Sequence, residues 1–258
     1  MKILILCSDG PHNKYLTYRI NKEFPNVITI VEISNFKKKR LLLKHKYKDY
    51  LYNLYHDVRR NLIGHNKYRE DFFISKIHEQ GWNRDNKYHI VDWVNSEHVR
   101  QILYNINPDI TIVMGTSIIK PDILDLLGAN VINIHGGYLP YYKGNHCCFF
   151  AFYNNEFDKI GSTIHFVNKF IDQGDIIDVV VPEITINDNA ETLYCKAELA
   201  AIEKLIVYIK NYQLGIDFPR IPQKNIGKIY YTRDRKIYHE IMYFFKRKGL
   251  FKYLQNME

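Results

Sequence analysis

The sequence predicts an α/β fold: a mostly parallel, twisted sheet with flanking helices. Three observations carry this. Residues 2–7, KILILC, form a continuous apolar run bounded by SDGP, the pattern of a strand buried on both faces. Apolar positions at helical spacing follow in YLTYRINKEF, and VITIVEI is a second strand of the buried type. After residue 95 the alternation of helical and strand patterns resumes.

The elements follow in order. Within residues 36–63, Tyr47, Leu51, Leu54, Tyr55, Val58 and Leu62 recur at helical spacing with Lys and Arg between them. This reads as one amphipathic helix, its apolar stripe packed on its own domain and its basic face solvated. Residues 64–90 are polar and mixed, giving a helix at 68–79 and then a loop. SEHVRQILYNI has a Ser cap and places Val99, Ile102, Leu103 and Ile106 on one helical face. ITIVM is a strand leading into GTSII, and PDILDLL is a helix with Pro in its first turn, stopped at Gly128. NVINIH is the next strand, followed by a loop and the helix CCFFAFYNN. GSTIHFV and DIIDVVVPEI are two further strands, and TLYCKAELAAIEKLIVYIKNY is a long helix. The expected organisation is a catalytic domain over 1–215, with a helical insertion at about 36–90. A C-terminal appendage over 216–258, with a short strand in GKIYYTRD and a basic aromatic helix, packs on the main body or on a second subunit.

Composition sets bounds on function. The 258 residues are 46% apolar and 25% charged, ordinary for a globular chain with a sizeable core. A net charge of +8 invites nucleic acid, yet the excess is spread along the chain, which equally suits small anionic ligands. The four cysteines, Cys7, Cys147, Cys148 and Cys195, form no Cys-x-x-Cys pair, so no metal site is expected. No stretch has the length of a signal peptide or a membrane span, so a cytoplasmic setting without a membrane partner is expected.

In an open α/β sheet, ligands bind beyond the carboxyl ends of the strands. Three segments reach that edge: GTSII, Asn133-x-His135 and IDQGD. Residues two apart on a strand face the same side, so Asn133 and His135 present their side chains to one spot, where Asp172 can meet them. An amide donor, an imidazole and a carboxylate together can stabilise an oxyanion and move protons.

VINIHGGYLPYYKG followed by GSTIHFVNKFIDQGDII resembles the core of the folate-dependent formyltransferases. Asn133, His135, Leu139-Pro140, Gly144, Gly161, Thr163, His165, Asp172 and Gly174 stand in the family's order, most strongly over about residues 90–180. The resemblance implies the Rossmann-like formyltransferase fold and formyl transfer from N10-formyltetrahydrofolate to an amine without a metal. It makes Asn133, His135 and Asp172 the catalytic trio. Asn133 donates to the oxyanion of a tetrahedral intermediate. His135 either shares that task as imidazolium or takes the amine's proton, and Asp172 tunes His135. The pterin pocket falls on the backbone of Gly115, Thr116, Ser117, Ile118, Ile119 and Lys120, with Phe170 and Ile171 from the last loop. His165 matches a strand position with a structural role. Gly136, Tyr142, Lys143 and Gly144 lie on the acceptor side.

Among the acceptors known for the family, the short tail and the single glycine in SDGPHNKYL are most like the sugar N-formyltransferases. The expected partner is then a nucleotide-linked amino sugar in surface-glycan biosynthesis, handled by a homodimer, with nucleic acid disfavoured. The alternatives are an enzyme like methionyl-tRNA formyltransferase, using its basic helical segment, and a non-catalytic basic binding protein. Lys143 stands where many members carry Arg, and Cys147 where many carry Pro.

Overall fold

The computed structural model describes residues 1–77, 87–246 and 248–255. Among these, a seven-stranded sheet has the order β3-β2-β1-β4-β5-β7-β8 and a two-stranded sheet pairs β6 with β9. By contacts the chain forms two compact units. The first is Met1–Ile134 with Leu205–Phe218, and the second is His135–Lys204 with Pro219–Glu258.

In the first unit, β1 (Ile3–Ser8), α1 (Pro11–Glu23) and β2 (Val27–Glu32) form the expected opening. Then come α2 (Ser34–Leu43), α3 (Tyr47–Leu62), α4 (His65–Ile74), β3 (Lys87–Val91) and α5 (Glu97–Tyr104). The unit continues with β4 (Ile110–Met114), α6 (Pro121–Leu124) and β5 (Val131–His135). β1 lies parallel between β2 and β4, and β3 and β5 extend the sheet in parallel. The residues of β1 and β4 are almost wholly buried, as continuous apolar runs require.

The insertion departs from expectation. The single helix over 36–63 is two, α2 and α3, broken around His45, whose φ of 54° is left-handed. The helix expected at 68–79 begins earlier and ends at Ile74, and its last two positions lie outside the described residues. The end of the expected loop is strand β3. The stripe on α3 is not packed on its domain: Leu51, Val58 and Leu62 are 61%, 49% and 81% exposed, while His56 and Arg59 are buried. Periodicity identified the face but not what covers it.

The second unit holds β6 (Tyr142–Gly144), α7 (Cys147–Tyr153), β7 (Ser162–Phe166), β8 (Ile176–Val180) and most of α8 (Ala190–Gln213). β9 (Lys228–Tyr230), α9 (Ile237–Lys246) and α10 (Lys248–Gln255) complete it. β7 and β8 are antiparallel. β6, inside what read as a plain loop, pairs in parallel with β9 of the tail. Phe150 stacks on Tyr230 with centroids 4.0 Å apart, the Arg235 guanidinium lies 3.4 Å from the Phe149 centroid, and Tyr243 accepts the Ala190 amide at 2.9 Å. The tail from Pro219 onward is thus bound into the unit's aromatic core.

Candidate active site

The buried β5 strand delivers Asn133, half-buried, and then His135 at its carboxyl end, two residues on and on the same strand face. His135 is 7% exposed. Its Nε2 lies 3.0 Å from the Tyr142 carbonyl oxygen. A carbonyl can only accept, so Nε2 carries the proton and Nδ1 is the nitrogen free to change state. Nδ1 is 3.6 Å from Asp172 Oδ2, too long for a good hydrogen bond, and the two form an ion pair only when the imidazole is protonated.

Asp172 is held from another side: the Gly144 N–H donates to Oδ2 at 2.7 Å. β6 therefore braces both residues through its main chain, one at each end of a three-residue strand. Asp172 has a φ of 51°, a left-handed conformation that Asp tolerates better than most residues and that turns up at functional positions. The Gly two residues on is forced by packing, since a Cβ at Gly174 would sit 1.8 Å from the Phe166 carbonyl oxygen. Gly144 is required in the same way, because a Cβ there would lie 2.2 Å from the Tyr230 carbonyl oxygen.

The Gly-x-Thr-x-His motif supports the same corner from β7. Thr163 Oγ1 donates to the Gly137 carbonyl at 2.7 Å and accepts the Leu139 amide at 3.0 Å, pinning the loop around the cis Leu139–Pro140 peptide. His165 Nδ1 donates to the Phe166 carbonyl at 2.8 Å, and its Nε2 lies 3.8 Å from Asp172 Oδ1. Burial lowers its pKa to about 4, against the opposing pull of Asp172, so His165 is neutral near pH 7. One carboxylate thus stands between two imidazoles, of which His165 is locked in its neutral form. Cys147 Sγ, 3.6 Å from His135 Nε2, has its thiol pushed well up by burial and then by Asp172, so it is not a nucleophile.

The remaining acceptor-side residues divide. The Tyr142 ring is buried and stacked on Tyr230, and its hydroxyl donates to Glu156 and accepts from Asn154, so its contribution to the corner is its carbonyl. Lys143 is 3% exposed, and among the described residues no hydrogen bond or ion pair holds its ammonium. At Gly136, the space of a Cβ is filled by Glu198 and Tyr194. Phe170 is 56% exposed and Ile171 half-buried in the loop that ends at Asp172.

In the first unit, Val113 of β4 is in register with Asn133 of β5, so the loop from Gly115 to Lys120 leaves the same sheet edge that Asn133 reaches. Gly115 has a φ of 72°, and Thr116 to Ile119 are non-helical. Two residues absent from the sequence reading hold this loop: Glu32 accepts the Ser117 amide at 2.6 Å, and Asn95 accepts the Lys120 amide at 2.6 Å. The available signal was a carboxylate ending the otherwise apolar run VITIVE. The amides of Ile118 and Ile119 carry no hydrogen bond among the described residues, which fits a planar heterocycle with acceptor atoms.

Comparison with known proteins extends this geometry. A methionyl-tRNA formyltransferase of Macrococcus caseolyticus (strain JCSC5402) is 30% identical over 133 residues, covering 51% of this chain and 42% of the relative. The chain thus matches less than half the length of that curated relative. Among solved structures, an N-formyltransferase from Helicobacter canadensis, in complex with folinic acid and dTDP-3-aminofucose, superposes with a TM-score of 0.60 at 18% identity, covering 96% of this chain and 80% of that one. Phosphoribosylglycinamide formyltransferase from Anaplasma phagocytophilum gives 0.57 at 16% identity, covering 89% and 97%. These similarities establish a shared fold across enzymes with different acceptors. The formyl transferase family profile matches residues 1–209, and the chain belongs to that family.

Proposed function

We propose that this protein transfers the formyl group of N10-formyltetrahydrofolate to the amine of a nucleotide-linked amino sugar. The observation that carries the chemistry is His135, with Nε2–H engaged by the Tyr142 carbonyl and Nδ1 turned toward Asp172. The folate, when bound, supplies an activated formyl group. The Asn133 amide donates a hydrogen bond to the oxygen that gains charge as the amine adds, the role of an oxyanion-hole donor. His135 takes the amine's proton at Nδ1, becoming imidazolium, and returns it to N10 as the C–N10 bond breaks and tetrahydrofolate leaves. Asp172, itself held by the Gly144 N–H, stands beside that cation. Neutral His165 fills the other side of the carboxylate without competing for its charge.

The acceptor reading draws on Lys143, a largely buried lysine whose ammonium suits a phosphate or another anion of a nucleotide, and on the aminofucose nucleotide bound by the Helicobacter enzyme. Gly136 and Gly144 border the same acceptor side through their backbone, and the Gly115–Lys120 loop receives the folate through its backbone. The same reading has the chain pair as a homodimer, supported by the exposed apolar face of α9, where Ile237, Ile241, Phe244 and Phe245 are each more than half exposed. A second reading, formylation of methionyl-tRNA, is favoured by the identity to the Macrococcus enzyme.

The deciding experiment supplies formyltetrahydrofolate with a panel of nucleotide-linked amino sugars and, in parallel, charged initiator tRNA. A product heavier by one formyl group in a sugar arm supports the proposal. Formylation of the tRNA alone replaces it with the second reading, and no consumption of the donor with any amine removes both.

A further inference from the structure

We infer that Glu32 and Asn95 are positioning residues that set the backbone of the Gly115–Lys120 loop for the reduced folate. The inference rests on the reading above that this loop receives the folate.

Glu32 is the last residue of β2 and is 3% exposed. Both of its carboxylate oxygens are engaged. Oε2 accepts the Ser117 N–H at 2.6 Å, and Oε1 accepts the Ser117 hydroxyl at 2.8 Å and an Arg40 guanidinium N–H at 2.6 Å. Arg40 also donates to Ser117 Oγ at 2.9 Å. A buried carboxylate is tolerated only with such a counter-charge, and Arg40 comes from α2, in the helical insertion. The insertion is thereby tied to the loop.

Asn95, 7% exposed, holds the other half of the loop. Its Oδ1 accepts the Lys120 N–H at 2.6 Å, and its Nδ2 donates to the Ile118 carbonyl at 3.0 Å. Three polar groups of the loop's main chain are therefore satisfied by side chains from two other elements. The amides of Gly115, Thr116, Ile118 and Ile119 remain, with no hydrogen bond among the described residues.

A short irregular loop otherwise samples many backbone conformers, and ordering it costs about 1–2 kcal/mol per residue. Fixing Ser117 and Lys120 before the ligand arrives removes part of that cost and holds the loop's unpaired amides at a set spacing. A pterin is flat, with acceptor atoms at its edge, so recognition by fixed main-chain donors depends on this brace. The brace acts on folate binding and touches no reacting atom.

The test combines kinetics with hydrogen exchange. In the wild type, 5-formyltetrahydrofolate should slow amide exchange over residues 115–120. Glu32→Gln and Asn95→Ala should each raise the folate Kd and KM about tenfold, the size expected for one or two buried hydrogen bonds. The turnover number and the KM for the amine should stay within about twofold, and Asn95→Asp, which keeps the acceptor for Lys120, should recover part of the loss. If Glu32→Gln fails to fold, the two Asn95 variants carry the comparison. Protection of the loop in the wild type with unchanged folate KM in the variants overturns the inference alone. Equal losses in folate KM, amine KM and turnover also overturn it, showing a merely structural role. Absence of protection over 115–120 overturns the folate reading of the loop, and the inference with it.

Discussion

Two regions of this molecule invert the usual sorting of polar and apolar residues, and they do so for different reasons. At the end of β5 the interior holds His135 and His165, each at most 7% exposed. On α3 the exterior holds Leu51, Val58 and Leu62, while His56 and Arg59 are buried. The strand-end cluster is braced within one chain: carbonyls face both imidazoles, and a main-chain amide grips the carboxylate. Such an arrangement offsets the desolvation of its polar groups and keeps a titratable nitrogen ready for chemistry. The α3 stripe has no such internal account, because exposed apolar area is stabilised only by something outside the described chain. Buried polarity points to a reaction, and exposed apolarity points to a contact.

The largest test of this contrast is His135→Ala. Removing the imidazole should lower turnover by about 10²–10⁴-fold while the thermal midpoint moves little, and Asp172→Asn should give a smaller loss of the same kind. A variant that loses stability and activity together would show the cluster to be structural. Next is Gly174→Ala, which puts a methyl against the Phe166 carbonyl and should cost more than about 3 kcal/mol by denaturant titration.

The third test is pH. The unfolded His165 titrates at its ordinary value of 6.5, whereas burial lowers the folded value to about 4. Between these values the unfolded chain binds a proton that the folded one refuses, so stability falls as pH drops through the window and levels off below it. In His165→Asn this contribution vanishes, and the difference in slope between the two proteins, read by urea titration from pH 7 to about 4, isolates it from the carboxylates common to both. Equal slopes would mean that His165 is not buried in its neutral form.

The smallest effect belongs to the surface helix. Leu51→Lys and Val58→Lys on α3 should each change monomer stability by no more than about 0.5 kcal/mol. The matched change Val99→Lys on α5 buries a charge and should cost about 4 kcal/mol or more. Thermal melts of the three variants compare two helices that read alike from their spacing. A large loss on α3 would show its stripe to be covered after all.

The strands and the longest helix were legible because each depends on local pattern. KILILC and ITIVM are buried on both faces, and α8 carries apolar positions over many turns. The meeting of His135 and Asp172 was legible because the motif sets both residue types at fixed spacings. β3 was not, since Lys87–Val91 lies at a sheet edge and only Val91 is buried. β6 escaped because its three residues are a strand only by virtue of β9, some eighty residues away. For the same reason, the facing of the Tyr142 carbonyl to His135 was not legible, since the sequence placed Tyr142 only on the acceptor side.

What the sequence determined by itself, then, is the succession of strands and helices, the family and the identities of Asn133, His135 and Asp172. Backbone propensity, burial period and reaction chemistry are all written in residue type and spacing. Tertiary structure decided which nitrogen of His135 the Tyr142 carbonyl engages, why Gly144 and Gly174 must be glycines, and that Glu32 and Asn95 grip the loop after β4. Those depend on distances between atoms remote in the chain, which no local pattern encodes.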